Sequence, residues 1–198
     1  MAVMLLEWVM KKLMAIFMAA GICILTACAA KGSEKSSKSG EDSSVLVAYF
    51  SAQGHTRSLA EKVAKATNGD LFEIEPEQPY TEADLDGWND SARGTRESKD
   101  RSTRPGVKSH VDNFEKYDTI YLGFPIWWYT APTIVNTFLE QYDTEGKVII
   151  PFATSGGSPI GETEKDLRVS APKAVFKQGK VMNNYSQEEV AEWIKTID

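Results

Sequence analysis

Thiols are nearly missing from this chain. Cys23 and Cys28 are the two cysteines in 198 residues. A folded unit built from the remainder has no thiol, which excludes disulfides, thiolate catalysis and cysteine metal sites. Histidine is as scarce, with His55 and His110 alone. No zinc-type spacing can be drawn through them, so no metal is expected. No apolar stretch reaches the ~20 residues that a membrane-spanning helix needs. Three catalytic or phosphate signatures are also absent: the Gly-x-x-x-x-Gly-Lys-Ser/Thr loop, the dinucleotide Gly-x-Gly-x-x-Gly loop and the Gly-x-Ser-x-Gly elbow. Positive charge is in deficit, with 22 basic against 28 acidic residues and a net charge of −6. That argues against nucleic acid or an anionic membrane surface as a direct partner. It leaves either a solvated acidic surface or steering toward a basic protein.

The N-terminus reads as an export segment. Lys11 and Lys12 precede a 13-residue apolar run, residues 13–25, which ends in the small-residue sequence LTAC. A basic start, a short apolar run and small residues before a cut describe a signal peptide spanning 1–27, with an uncleaved membrane anchor as the alternative. The upstream MAVMLLEWV fits no part of a signal, so Met10 is the expected start. The Cys at the cut resembles a bacterial lipoprotein signal, which implies lipidation at Cys28 and anchoring to the outer face of the cytoplasmic membrane. Two or more acyl chains give stable attachment, where one is marginal. Without residues 1–27 the chain carries 20 basic and 27 acidic residues, net −7. The stretch AAKGSEKSSKSGEDSS that follows Cys28 has almost nothing to bury and reads as a tether over 28–44. Its typical reach is roughly 20–24 Å.

Residues 45–198 read as one folded domain. VLVAYF (45–50) is a continuous apolar run, suited to a strand buried on both faces. A helix over 57–68 follows, with Gly69 as its expected left-handed end. A second strand covers 70–76, a third 119–124, a fourth begins at 146, and 174–182 supplies a short fifth. Helical patterns occupy 131–143 and 161–169, and a capping box from Ser186 to Glu189 opens the last helix. The polar segment 78–104 is partly helical at most, with Tyr80 and Trp88 as its large hydrophobes. Strands alternating with helices predict an α/β fold, a doubly wound five-stranded parallel sheet. Ligands in such sheets bind beyond the carboxyl ends of the strands.

Three turns lie there. After strand one, SAQGHT ends on a helix N-terminus, whose N–H groups and dipole suit an anion. Ser51, Gln53 and Thr56 add neutral donors, and Gly54 permits close backbone approach. Thr56 could equally be a plain N-cap. Without a lysine or a metal-binding acid, a single phosphate monoester fits better than a triphosphate. After strand three, GFPIWWYTAP puts Trp127, Trp128 and Tyr129 at the mouth of the sheet. They form a stacking wall for a flat ring, or one or two of them pack under the next helix. After strand four, TSGGS is small enough for a ligand to lie on the backbone, and is equally a plain helix entry. Taken together, the turns describe a phosphorylated, flat, polar-edged ring compound.

On SAQGHT, PIWWY and TSGGS the chain resembles flavodoxin-like proteins that bind flavin mononucleotide (FMN). The resemblance implies the sheet order 2-1-3-4-5 and FMN as cofactor. It makes Ser51, Gln53, Gly54, His55 and Thr56 phosphate contacts. Pro125, Ile126, Trp127, Trp128 and Tyr129 would line the isoalloxazine, with Thr154, Ser155, Gly156 and Gly157 on its pyrimidine edge. The usual second stacking tyrosine after strand four is missing, so one face is open or is covered by Trp88 or Tyr80. No side chain is expected to be catalytic, and His55 stands at the phosphate end. The first expectation is a lipid-anchored electron carrier serving a redox protein partner. The second is an FMN-dependent NAD(P)H:quinone-type reductase with a small quinone-like acceptor. The third is a non-redox binding lipoprotein. A phosphoacceptor domain is excluded by Phe50-Ser51 and Phe124-Pro125, where acidic residues would be needed.

Overall fold

The computed structural model describes residues 44–197. The signal peptide, the start at Met10, Cys28 and the tether up to residue 43 lie outside the described residues. In chain order the elements are β1 (Val45–Tyr49), α1 (His55–Thr67), β2 (Asp70–Glu73), α2 (Arg93–Lys99), β3 (Thr119–Pro125), α3 (Thr133–Glu140), β4 (Val148–Thr154), α4 (Thr163–Arg168), β5 (Val175–Phe176), β6 (Lys180–Val181) and α5 (Gln187–Ile194). Every strand pair is parallel, in the order β2-β1-β3-β4-β5, with β6 also on β4.

Alternation along the central strands divides the core between two faces. Leu46, Ala48, Ile120, Leu122 and Phe124 pack on one side with Ile134, Phe138 and Leu167 of the helices there. Val47, Tyr49, Tyr121, Ile150 and Phe152 pack on the other with Leu59 and Val63 of α1 and Val190 and Trp193 of α5. Burial on both faces explains why these strands are nearly unbroken apolar runs.

The expected fifth strand is split in two. The carbonyls of Lys147, Ile149 and Ala153 face this edge and accept from the N–H groups of Val175, Lys177 and Met182. Pro151 alternates onto the same side and has no N–H to give. The ladder breaks beside it: β5 ends opposite Ile149, and β6 resumes opposite Phe152.

Helix ends also differ from expectation at one point. The left-handed residue closing α1 is Asn68, φ 53°, rather than Gly69. Asn tolerates that region through its short polar side chain. Gly69 is constrained by closeness instead, since a Cβ there would lie 2.9 Å from Val45 Cγ1. The capping box of α5 is present: Glu189 N–H donates to Ser186 Oγ at 3.2 Å, and Ser186 N–H to Glu189 Oε2 at 2.7 Å. Pro132 stands at the N-cap of α3. Within 78–104, the polar segment holds a short 3₁₀ turn, Ala83–Leu85, and α2.

Candidate cofactor cleft

The β1–α1 loop ends in Gly54, the N-cap of α1, at φ 86°. That left-handed geometry is open to glycine, and nothing lies within 4 Å of where its Cβ would be. No side chain caps the helix. Its first bond runs from Ser58 N–H to the Gly54 carbonyl, so the earlier N–H groups stand available to an anion. Ser51 Oγ is buried with no partner among the described residues. A buried hydroxyl without a partner is costly unless something else satisfies it. Thr56 is not the N-cap. It is 1% exposed, and its hydroxyl shares a 2.8 Å hydrogen bond with that of Thr154.

The β3–α3 turn spans Trp127 to Thr130. Trp127 N–H donates to the Thr130 carbonyl at 2.9 Å, and Thr130 N–H to that of Trp127 at 3.1 Å. Its two central residues, Trp128 and Tyr129, have φ of 45° and 68°. Two positive values mark a primed turn, ordinarily built from Asn and Gly. Here two bulky aromatics carry the strain, and the surroundings hold them there. The Trp127 ring lies against Gly94, the Trp128 ring against Gly87, and the Tyr129 carbonyl against Gly161, which is itself at φ 54°. Thr130 Oγ1 donates to Asp166 Oδ2 at 2.6 Å, and Arg101 donates to the Ala131 carbonyl at 2.9 Å. Arg101 also stands 3.9 Å from Asp166; burial lowers the Arg101 pKa and the Asp166 charge opposes that.

Thr154 joins the three loops. Its carbonyl accepts from Ile126 N–H at 2.8 Å, while its hydroxyl reaches Thr56. The next residue, Ser155, is bracketed by one side chain: its N–H donates to Asn183 Oδ1 at 2.9 Å, and its carbonyl accepts from Asn183 Nδ2 at 2.7 Å. The turn after β6 is thereby bonded to the turn after β4.

A cleft of about 640 Å³ opens between these loops. Gln53, Gly54, His55, Pro125, Ile126, Trp127, Thr154, Ser155 and Gly156 line it. Ser51, Thr56, Trp128, Tyr129 and Gly157 are outside that lining. Ser51 belongs to the wall of a neighbouring hollow, and Thr56 lies beneath the cleft on Thr154. The primed turn carries Trp128 and Tyr129 past the cleft to its rim, where they are 38% and 67% exposed. Neither expected cover is in the lining. Tyr80 turns inward, edge-on to Phe50 and Trp127, and donates to Glu97 Oε2 at 2.6 Å. Burial, with that carboxylate beside it, pushes the Tyr80 phenol far up, so it stays a donor. Trp88 is 99% exposed.

A sequence profile of the flavodoxins matches residues 44–197. The chain belongs to the flavodoxin family. A candidate flavoprotein of Bacteroides uniformis is 47% identical, with a TM-score of 0.74 over 77% of this chain and 97% of that one. One from Bacteroides eggerthii is 44% identical, TM-score 0.73, over 77% and 96%. A flavoprotein of Lactobacillus acidophilus, solved in complex with FMN, shares the fold at 22% identity and TM-score 0.59, over 76% and 97%. No curated protein matches the chain.

In this flavodoxin the loops account for only part of the cleft. Ser58, Leu59 and Lys62 of α1, and Met182, Asn183, Asn184 and Tyr185 after β6, complete the lining. Sequence reading missed them. The α1 residues follow His55 at helical spacing, a legible signal once the cleft is known. The strained turn makes a prediction of its own. Tyr129→Asn, which suits positive φ, raises the stability of the flavin-free protein by about 0.5–1 kcal/mol. Chemical denaturation measures this; a loss of stability would show that Tyr129 is not strained.

Proposed function

We propose that this flavodoxin binds FMN and works as a redox protein through it. The observation that carries the reading is the convergence of three loops on one cleft, beside an uncapped helix and a buried, unsatisfied Ser51 hydroxyl. That donor set suits a phosphate monoester, and Trp127 offers an aromatic wall. Relatives at 44% and 47% identity are themselves candidate flavoproteins.

Bound FMN supplies one- and two-electron transfer. The protein's part is binding, orientation and field. The N–H groups of the Gly54 loop would hold the phosphate end. Trp127 and the backbone of Ser155 and Gly156 hold the ring, with Asn183 fixing that backbone. The acidic chain disfavours added negative charge on the cofactor, which lowers its reduction potential.

The first reading of the role is an electron carrier for a redox protein partner, exported through residues 1–27 and tethered by lipid on Cys28. Among the described residues no helix is long and apolar enough to cross a membrane. A second reading has a specific observation behind it. Tyr80 is turned inward and the β4 loop holds no aromatic, so neither would cover a ring stacked on Trp127, and a small flat acceptor would have access there, as an NAD(P)H:quinone-type reductase requires.

The deciding experiment mixes the full chain with FMN and follows flavin fluorescence and the visible spectrum. Stoichiometric quenching is expected. A chain that leaves FMN fluorescent at micromolar concentrations would support the third reading, a non-redox binding lipoprotein, over both others. Steady-state NAD(P)H oxidation with a quinone then separates reductase from carrier. Labelling with a radioactive fatty acid tests the anchor, and a Cys28→Ala chain that still incorporates label would sink it.

A further inference from the structure

The phosphate loop holds no lysine, yet a lysine reaches the cleft from outside it. On α1 the residues that line the cleft are His55, Ser58, Leu59 and Lys62, spaced i, i+3, i+4 and i+7 along one face. Side chains on a helix lean toward its N-terminus, which for Lys62 is the Gly54 end of α1. Its Nζ donates to the Tyr185 carbonyl at 2.7 Å, which fixes the ammonium at the cleft wall and leaves two of its three donors. Gln187 Nε2 donates to the Lys62 carbonyl at 2.9 Å and holds the same turn of helix against α5. Among the described residues Lys62 has no carboxylate partner. By contrast Arg57, the cation nearest the loop in sequence, is drawn away to Glu73, with Nη2 2.6 Å from both carboxylate oxygens. A cation held without an acid, in a chain of net negative charge, lining the same cleft as the uncapped start of α1, has an anion to meet.

We infer that Lys62 is the counter-charge of the cofactor's phosphate, delivered from the second turn of α1 rather than from the loop. This rests on the reading of the cleft as an FMN site. Lys62 acts on the phosphate end alone, and Tyr185 is its anchor.

The test compares FMN with riboflavin, which has the same ring and no phosphate. The full-length flavin-free chain, Lys62→Gln and Lys62→Arg are titrated with each flavin by fluorescence quenching at low and high salt. Lys62→Gln is expected to weaken FMN binding about tenfold, the lower range for one charge-assisted contact. It leaves riboflavin binding unchanged, and Lys62→Arg recovers most of the FMN affinity. The salt dependence of FMN binding falls in Lys62→Gln. Equal losses for both flavins would show that Lys62 only props the Tyr185 turn, and overturn the inference. Unchanged FMN binding would overturn it too. A wild-type chain that quenches neither flavin removes the FMN reading itself, and this inference with it.

Discussion

Trp127→Ala weakens FMN binding by about 30-fold, the loss of roughly 2 kcal/mol of stacking and burial. It also destabilises the flavin-free protein by about 2–3 kcal/mol. Both effects come from one placement. The Trp127 ring is edge-on to Phe50 at 5.6 Å and to Tyr80 at 5.2 Å, and one side of it rests on Gly94. The residue therefore closes the core beneath the turn and presents the cleft wall above it. Trp128→Ala serves as the control. Trp128 is outside the lining, so its loss leaves FMN affinity within about threefold. Fluorescence titration and urea denaturation read both quantities. Should Trp128→Ala cost as much affinity as Trp127→Ala, the cleft wall has been assigned to the wrong tryptophan.

Gly123→Ala destabilises the fold by about 2–3 kcal/mol, although a strand usually gains from the exchange. Gly123 sits in β3 opposite Phe152 of β4. An added Cβ would lie 2.3 Å from Phe152 Cζ and 2.5 Å from Cε2. Phe152 is fully buried between the sheet and the α1–α5 layer, so its ring has nowhere to retreat. The ~0.5–1 kcal/mol that alanine returns by stiffening the unfolded chain is smaller than this overlap. For a domain of this size the melting temperature falls by about 5–10 °C. Phe152→Leu makes room. Alone it leaves a cavity, but combined with Gly123→Ala it costs less than the two single changes summed. Strict additivity would mean that the methyl and the ring never met.

The sheet was readable because its strands are buried on both faces and so announce themselves as apolar runs. VLVAYF and the residues around Ile120 and Ile149 could hardly be anything else in an alternating α/β pattern. The capping box of α5 was equally legible, since Ser186 and Glu189 need only each other. What escaped notice depends on register between distant segments. Pro151 breaks the edge only because it faces that edge, and a shift of one residue would have turned it toward β3. Asn183 steadies Ser155 because β6 ends beside β4. Lys62 lies seven residues beyond the start of α1, outside any loop one would search for a ligand. The three aromatics were visible as a group, but not the division of labour among them. Positive φ at Trp128 and Tyr129 has no signature in the sequence, because neither is Gly or Asn.

The split of the last strand at Pro151 has a further consequence, for how copies of the protein meet one another. An unbroken outer strand would expose a row of backbone donors and acceptors on which a second chain could continue the sheet. Here that margin offers two residues, Val175–Phe176, then an interruption, then two more, Lys180–Val181. The opposite margin, Asp70–Glu73, is four residues long. Both margins are short, one of the ways sheets limit pairing with a second chain. A proline in one strand thus also shortens the edge that its neighbour would present to a second molecule.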